Sequence, residues 1–235
     1  MLFRSGGPVE GVQVSVEGAK AAFTDSTGGF ILPDIASPTA VVRAASEEAL
    51  LFTASFANPV TVGAGEVRAD FTAYRPSDLE PVVWIPRGAR WRYRAGGSAP
   101  SPLWASPSYP DTAWSEGAAP LGYGFDDLAT VVPFGPRPDG RWISTQFRDR
   151  FVVPVGSWLA VRLRVQRDDG VVAYLGGLEA WRNNLPQGVL NYLTLADSDV
   201  NAAGAVEWQE TLLSPSFVTA GTNLDRKSTR LNSSH

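Results

Sequence analysis

Apolar and polar residues alternate with a period of two along several stretches of this chain. That is the pattern of β-strands with one face buried. It is clear in VQVSVEG (residues 12–18), VRADFTAY (67–74), RWISTQFRDRFVV (141–153) and WLAVRLRVQ (158–166). No segment shows convincingly the 3.6-residue period of an amphipathic helix. The pattern therefore predicts an all-β chain of antiparallel sheets.

Turn residues between the strands predict how the strands pair. Three hairpin turns are expected, at Ser26-Thr27-Gly28-Gly29, at Asp169-Gly170 and at Gly176-Gly177. Glycine adopts positive φ at little cost, which suits it to such turns. The first turn would make residues 30–35 a return strand. The second would pair residues 158–166 with 171–175, and the third would pair 171–175 with 178–181.

The tryptophans divide the chain into two parts. All eight lie at or after Trp84. The polar stretch YRPSDLEP (74–81), with two prolines, has the composition of a linker. We expect two β-sandwich domains, residues 6–74 and 82–224, joined by residues 75–81.

The two ends of the chain differ from the rest. Residues 225–235 can be written in codons, without a gap, as a string that resembles the adapter oligonucleotide of short-read sequencing. Residues 1–5 read as the reverse complement of the same adapter when GTG is the start codon. We therefore interpret both ends as adapter artefacts, to be set aside before reasoning about fold. On this interpretation residues 6–224 are a natural fragment, and each sandwich lacks a terminal strand and shows an unpaired edge.

Composition narrows the classes of partner. Without the two ends, 16 Lys+Arg and 23 Asp+Glu remain, a net charge of −7. An acidic chain argues against nucleic-acid binding, which needs a basic face. No apolar run reaches membrane-spanning length. The sequence contains no cysteine, so it predicts neither a disulfide nor a thiolate metal site.

The first part resembles the carboxypeptidase regulatory-like family. The resemblance rests on GGPVEGVQVSVEG (6–18), on FTDSTGGFILPDI (23–35) and on the closing strand at residues 67–74. It implies a small transthyretin-like β-sandwich that acts as an accessory module without catalysis.

The second part resembles a galactose-binding-like jelly roll of large secreted bacterial proteins. Five blocks carry the resemblance in order: WIPRGARWRY (84–93), DTAWSEGAAPLGYG (111–124), ISTQFRDRFVV (143–153), RVQRDDGVVAYLGGLEAWRNNLP (164–186) and LSPSFVTAGTN (213–223). It implies a secreted or cell-surface location, with other domains of a longer chain as partners.

Common catalytic groups are missing from the natural part. The only histidine is His235, in the terminal segment set aside above, so the usual Ser-His or Cys-His pairs cannot form. Paired carboxylates remain as a glycosidase possibility. Their candidates are Asp126, Asp127, Asp168, Asp169, Glu179, Glu207 and Glu210, and the sequence does not select a pair. We expect no catalysis within this fragment.

Asp168 and Asp169 are the candidate metal ligands. In some related sugar-binding sandwiches an Asp pair in a comparable turn holds Ca²⁺, which prefers six to eight oxygen ligands. Asp197, Asp199 and Asn201 offer further oxygens, without EF-hand spacing. The structural alternative is that Asp169 and Gly170 are turn residues and Asp168 caps the turn.

Exposed tryptophans are candidate platforms for sugar rings, although most are expected to pack in the core. Trp114 and Trp158 are predicted to be packing residues, and Trp104, Trp142 and Trp181 to be surface candidates. The predicted ligand contacts are Trp181, Arg182, Asn183, Asn184 and Trp142.

These observations leave three hypotheses for function. The chain carries non-catalytic binding modules that target a polysaccharide or a cell-surface glycan. Alternatively, the modules are structural spacers with no ligand. In either case the parent is expected to be a larger protein and can be a hydrolase (a phosphoesterase, peptidase or glycosidase) whose active site lies outside these residues.

Overall fold

The computed structural model describes residues 2–4, 7–48, 50–63, 65–137 and 140–230. Of the two terminal segments interpreted as adapter, residues 1, 5 and 231–235 lie outside the described residues. The chain divides into two compact units, Met1–Val82 (unit 1) and Val83–His235 (unit 2). Within the described ranges, no helix is long and apolar enough to cross a membrane. The expectation of an all-β fold is confirmed.

The described residues of unit 1 form nine short strands in three sheets. The strands are β1 (Leu2–Arg4), β2 (Gly7–Pro8), β3 (Gln13–Val16), β4 (Ala22–Phe23), β5 (Thr39–Ala40), β6 (Val42–Ala45), β7 (Leu51–Ala54), β8 (Val60–Thr61) and β9 (Phe71–Tyr74). The sheet orders are β2-β1-β9-β7, β4-β3-β6 and β5-β8. A 3₁₀ turn at Pro76–Asp78 follows β9.

One apolar core holds the three sheets of unit 1 together. The alternation predicted for residues 12–18 is confirmed, because Val12, Val14 and Val16 all point into this core. Val42 of β6 and Phe71 of β9 complete it from the other strands. The strand period of two therefore places the apolar side chains of each sheet on the same inner face.

The turn predicted at residues 26–29 is present, but its return strand is not. The Asp25 carboxylate accepts hydrogen bonds from the backbone N–H groups of Thr27 at 2.8 Å and Gly29 at 2.9 Å. Gly28 takes φ +73°, which favours glycine. Residues 30–35 form no strand. Pro33 lacks the N–H that a ladder needs, so this segment only packs its apolar side chains against the core.

In the part of unit 2 that the structure describes, ten strands are arranged around one large sheet. They are β10 (Arg90–Ala95), β11 (Ser115–Ala118), β12 (Leu121–Gly122), β13 (Thr130–Val131), β14 (Ser144–Val153), β15 (Val161–Val165), β16 (Gly170–Leu175), β17 (Leu178–Asn183), β18 (Gln209–Leu213) and β19 (Gly221–Arg230). The main sheet has the order β11-β10-β14-β19-β16-β17, and β12-β13 and β15-β18 form small sheets. The helical pieces are α1 (Ala202–Ala205) and 3₁₀ turns at Pro102–Ala105 and Pro215–Phe217.

The main sheet and the β15-β18 sheet pack face to face. Phe151 and Val153 of β14 and Leu175 of β16 share a core with Leu163 of β15 and Leu213 of β18. The alternation predicted for β15 is confirmed, since its valines and leucine are inside while Arg162 and Arg164 are exposed. This arrangement is a β-sandwich.

Only one of the two predicted hairpins in this region exists. β16 pairs with β17 across Gly176 and Gly177, both at positive φ, so that hairpin is confirmed. The hairpin at Asp169-Gly170 is wrong, because β15 pairs with β18 and lies in a different sheet from β16. The chain passes from one layer of the sandwich to the other at this point. Local turn chemistry cannot distinguish such a crossing from a hairpin.

The terminal segments are themselves strands. β1 lies between β2 and β9, and β19 lies between β14 and β16 in the centre of the main sheet. This differs from the expectation of an unpaired edge at each missing strand, because both places are occupied in the structure. For β19 the occupant is polar: Asp225, Arg226 and Ser228 are buried.

Candidate functional site

A polar cluster gathers at the start of β16, and we call it the Asp168 cluster. Its members come from five separate segments of unit 2, and they are Tyr123, Arg141, Arg167, Asp168, Asp169, Asn183, Asn184 and Ser198. Arg167 to Asp169 lie in the crossing before β16, and Asn183 and Asn184 lie at the end of its partner strand β17. The antiparallel pairing of β16 with β17 therefore brings the predicted metal ligands next to two of the predicted ligand contacts.

Asp169 and Asn184 form a clasp that holds the loop following β17. Asp169 is fully buried, and its Oδ1 accepts a hydrogen bond from the backbone N–H of Val200 at 2.6 Å. The Asn184 amide donates to the carbonyl oxygens of Asp169 at 3.2 Å and Ser198 at 2.6 Å. The Ser198 hydroxyl donates back to Asn184 Oδ1 at 2.9 Å. These residues fix the position of the loop. The candidate ligand contacts are therefore the other members of the Asp168 cluster.

Gly170 is required by the close packing beneath this clasp. A Cβ at this position would lie 2.7 Å from the carbonyl oxygen of Asn184 and 2.8 Å from the side chain of Leu185. Backbone cannot give way at those distances, so no other residue fits without moving the β17 loop. The Asp-Gly pair, which predicted a hairpin turn, is thus explained by a close approach of two backbones.

Tyr123 and Arg141 form the more accessible side of the cluster. The Arg141 guanidinium lies 5.5 Å from the centroid of the half-buried Tyr123 ring, and Arg141 itself is exposed. Burial raises the pKa of Tyr123; Arg141 opposes this shift, and the charges of Asp168 and Asp169 add to it. The Tyr123 phenol therefore stays protonated at neutral pH and can donate a hydrogen bond.

Arg167 adds a half-buried cation to the same cluster. Its Nε donates to Asn183 Oδ1 at 2.7 Å. Its Nη1 is buried and has no hydrogen-bond partner among the residues that the structure describes. A buried donor without a partner is uncommon in folded proteins, which marks this end of the cluster as a polar site enclosed by the protein.

Trp142 lies on the segment that brings Arg141 to the cluster. The Tyr123 and Phe134 rings are 5.2 Å apart, and the Trp142 backbone N–H donates to the Phe134 carbonyl at 2.7 Å. The Trp142 ring itself lies against Gly97, where an added Cβ would approach it to 3.0 Å. The predicted contact at Trp142 is therefore near the cluster in the chain, with a half-buried ring.

Trp181 and Arg182 lie on β17, where the structure gives each of them a local partner. Trp181 packs against the sandwich core. Arg182 Nη2 donates to Glu179 Oε2 at 2.7 Å, and its Nε lies 2.5 Å from Glu179 Oε1. Arg182 Nη2 also donates to the carbonyl oxygen of Gly188 at 3.1 Å. Both residues support the edge of the sheet in this structure, and their role as ligand contacts stays a prediction.

Two of the residues predicted as calcium ligands or further oxygen donors, Asp169 and Asn201, make hydrogen bonds within the protein. Among the described residues, no group of three or more His, Cys, Asp or Glu side chains is arranged to hold a metal ion. One oxygen of Asp169 already accepts a backbone N–H, and Asn201 Oδ1 caps α1 by accepting from the Gly204 N–H at 2.8 Å. Calcium coordination by Asp168 and Asp169 stays a prediction that titration tests.

The sequence analysis did not select Tyr123, Arg141 or Arg167. It also did not select the surface around Trp208 or a groove beside β16, which are described next. Trp208 is exposed, and the guanidinium groups of Arg87 and Arg164 lie 4.7 Å and 5.2 Å from its ring centroid. A groove of about 360 Å³ lies at the far end of β16, beside Leu178 and Phe217. The sequence contained one usable signal, the pairing of aromatic and acidic residues in LGYGFDD (121–127).

Comparisons with known proteins add a distant structural likeness. No protein-family model matches the chain, and no curated protein sequence matches it. A solved structure described as a beta-glucuronidase from glycoside hydrolase family 2 matches 64% of this chain at 12% sequence identity, with a TM-score of 0.39. The chain spans about 15% of the length of that protein.

Proposed function

We propose that unit 2 is a galactose-binding-like jelly roll that binds saccharides without catalysis, and that unit 1 is a carboxypeptidase regulatory-like accessory module. The observation that carries this proposal is the Asp168 cluster. It combines a protonated phenol, guanidinium groups and carboxylates beside aromatic rings at one end of a sandwich. We propose further that the parent protein is secreted and uses these modules to reach a polysaccharide or a cell-surface glycan.

The chemistry of the cluster suits a neutral, hydroxyl-rich ligand. Tyr123 and the exposed Arg141 offer donors, and the half-buried Asp168 contributes a carboxylate, which is an acceptor. Neighbouring hydroxyls of a sugar each donate and accept one hydrogen bond, so a site with both kinds of partner selects them. Asp169 and Asn184 would act indirectly, by fixing the loop that frames the cluster.

The proposal is tested by calorimetric titration of the full chain with a panel of soluble polysaccharides. We expect one saccharide class to bind, and Asp168→Asn and Tyr123→Phe each to weaken binding by about 10- to 100-fold, as expected for a lost hydrogen bond to a charged or buried partner. Tyr93→Phe, a half-buried tyrosine in the core near Trp91, is the matched control and should bind normally. Absence of binding by a chain shown to be folded would overturn the proposal.

Two further titrations locate the binding site and test whether calcium takes part in binding. Leu178→Ser changes an exposed residue of the groove at the other end of β16, so binding should persist. Loss of binding in that variant would move the site to the groove. Titration in calcium and in EDTA decides the metal prediction, because a calcium-bridged ligand is released by EDTA and a directly bound one is not.

A structural spacer in a larger hydrolase is the second candidate. The specific observation in its favour is that most polar side chains of β17 and its loop are engaged within the protein, Arg182 by Glu179 and Asn184 by Ser198. A spacer predicts that no saccharide class binds and that cluster variants alter stability only. The active site would then lie outside these residues.

A further inference from the structure

The place of β19 in the main sheet is a slot between β14 and β16 with both faces covered. The segment pairs antiparallel with both neighbours, opposite Ser144–Val153 on one side and Gly170–Leu175 on the other. Leu224, Asp225, Arg226 and Ser228 are all 3% exposed or less. A strand buried on both faces is ordinarily a continuous apolar run. In β19, by contrast, two of the buried side chains are charged, Asp225 and Arg226.

On the core side of the slot, Asp225 and Lys227 replace apolar packing. Lys227 lies opposite Phe147 and Ala173, and its Nζ is 4.3 Å from the centroid of the Trp91 ring. Lys227 bonds to one oxygen of Asp225. The other oxygen, Oδ1, is buried without a hydrogen-bond partner among the described residues. The register neighbours of Lys227 are therefore apolar, whereas Asp225 lies opposite Leu175 on one side and a second carboxylate, Asp149, on the other.

On the opposite side, Arg226 is buried without acceptors. Its Nε, Nη1 and Nη2 have no hydrogen-bond partner in the part of the chain that the structure describes. Its neighbours are the Tyr174 ring, 5.8 Å from the guanidinium, and Arg148, which lies opposite in the register and has the same charge. Burial of a cation costs free energy unless it is paired and hydrogen-bonded.

We infer that this slot is a strand-binding site whose matching occupant is an extended peptide segment with apolar side chains at the positions of Asp225, Arg226 and Lys227. The backbone ladders on both sides supply affinity for any extended chain. The Trp91, Phe147 and Ala173 side chains on one face and Tyr174 on the other select apolar residues. Binding occurs by strand addition, antiparallel to β14 and β16, with the resident strand displaced.

The first test changes the resident strand in the full chain. The triple variant D225V/R226L/K227V should raise the midpoint of thermal unfolding, because it supplies the apolar side chains that the slot fits. Thr222→Val, an exposed position of the same strand, controls for added β-propensity and should leave the midpoint nearly unchanged. A midpoint that falls in the triple variant overturns the inference.

The second test supplies the occupant from solution. A labelled ten-residue peptide with the sequence of residues 221–230, carrying valine, leucine and valine in place of Asp225, Arg226 and Lys227, is titrated with the full chain by fluorescence anisotropy. It should bind at least tenfold more tightly than the peptide of unchanged sequence. Its affinity should fall at least tenfold for the triple variant, whose own strand competes better. Equal binding of both peptides, equal binding to both proteins, or no binding of either peptide overturns the inference.

Discussion

Two buried arginines lie opposite each other on adjacent strands, and they differ in the hydrogen-bond acceptors around their guanidinium groups. Arg148 of β14 is 1% exposed and Arg226 of β19 is 0% exposed. Arg148 Nε donates to the Asp111 carboxylate at 2.8 Å, and its other nitrogens reach the carbonyl oxygens of Ser106 and Tyr109 at 3.3 Å. No acceptor surrounds Arg226 among the described residues. Burial alone therefore does not allow an arginine to stabilise the fold. It does so when a matched set of hydrogen-bond acceptors surrounds its guanidinium.

The difference arises from the loop before β11. Its 3₁₀ turn at Pro102–Ala105 and the residues up to Asp111 cover β14 and point carbonyl groups at Arg148. Among the described residues, no segment supplies a hydrogen-bond acceptor to Arg226 of β19. Burial and, after it, the charge of Arg148 lower the pKa of Arg226, and with partial compensation by Asp225 the result is about 10. The protein thus stabilises the charge of one arginine and opposes that of the other.

The largest expected effect is loss of the supported arginine. Arg148→Met leaves Asp111 buried with fewer partners, so the free energy of unfolding should fall by about 3–5 kcal/mol in urea denaturation. Arg150→Met is the matched control: Arg150 also contacts Asp111, at 3.0 Å, but its side chain is 44% exposed. Its effect should be under about 1 kcal/mol. Equal losses in the two variants would contradict the comparison.

Replacing the unsupported arginine should have the opposite sign. Arg226→Met removes a buried cation without breaking a hydrogen bond and relieves its repulsion of Arg148. The free energy of unfolding should rise by about 1–4 kcal/mol, the range seen when buried ionic groups are replaced by apolar ones of similar volume. Urea denaturation measures it, and a fall of any size would show that Arg226 has partners in solution.

A smaller effect concerns pH. Burial raises the pKa of Asp149, the Arg150 backbone N–H opposes this shift and the charge of Asp225 adds to it, and together they move the pKa from 3.8 to about 6. The folded state then holds this proton more tightly than the unfolded state. The Asp149 contribution to the free energy of unfolding is therefore lost as pH rises from 3.8 to about 6. In a pH series of urea denaturations, Asp149→Asn should lack this loss, and parallel profiles for parent and variant would contradict it.

The smallest effect is expected on the exposed face of β15. Arg162 and Arg164 contact Glu210 on β18 at 3.3 Å and 3.1 Å, and all three side chains are well exposed. Water and salt screen such pairs, so Arg162→Ala should change the free energy of unfolding by less than about 1 kcal/mol. The change should shrink further at high salt. A loss as large as that of Arg148→Met would show that exposure does not separate the two groups of arginines.

Strand character was predictable from the sequence where one face is buried. Val12, Val14 and Val16 and the residues of β15 alternate in sequence and in burial, because the strand period alone decides which side chains face the core. Pairing between distant strands was not predictable. The crossing at Asp169 was interpreted as a hairpin because turn chemistry is local, whereas the partner of β15 lies at residues 209–213.

The candidate site was predictable in part for the same reason. Asp168, Asn183 and Asn184 were selected from one continuous run, and the β16–β17 pairing brings them together. Tyr123 and Arg141 join them from other segments through the topology of unit 2, which no local pattern encodes. The polar sequence of residues 225–230 likewise gave no sign of a central strand, since its burial is imposed by its two neighbours.

The position of Lys227 has a practical consequence for chemistry in solution. The chain has only two lysines, Lys20 in unit 1 and Lys227 in unit 2. Lys20 is exposed, whereas the Lys227 side chain is 12% exposed and is paired with Asp225. An amine-acylating reagent should modify Lys20 at once and reach Lys227 only when the central strand leaves its sheet. In a mass spectrum, the acylated Lys20 peptide then serves as the internal standard. The ratio of the acylated Lys227 peptide to it measures the fraction of molecules in which β19 has left the main sheet.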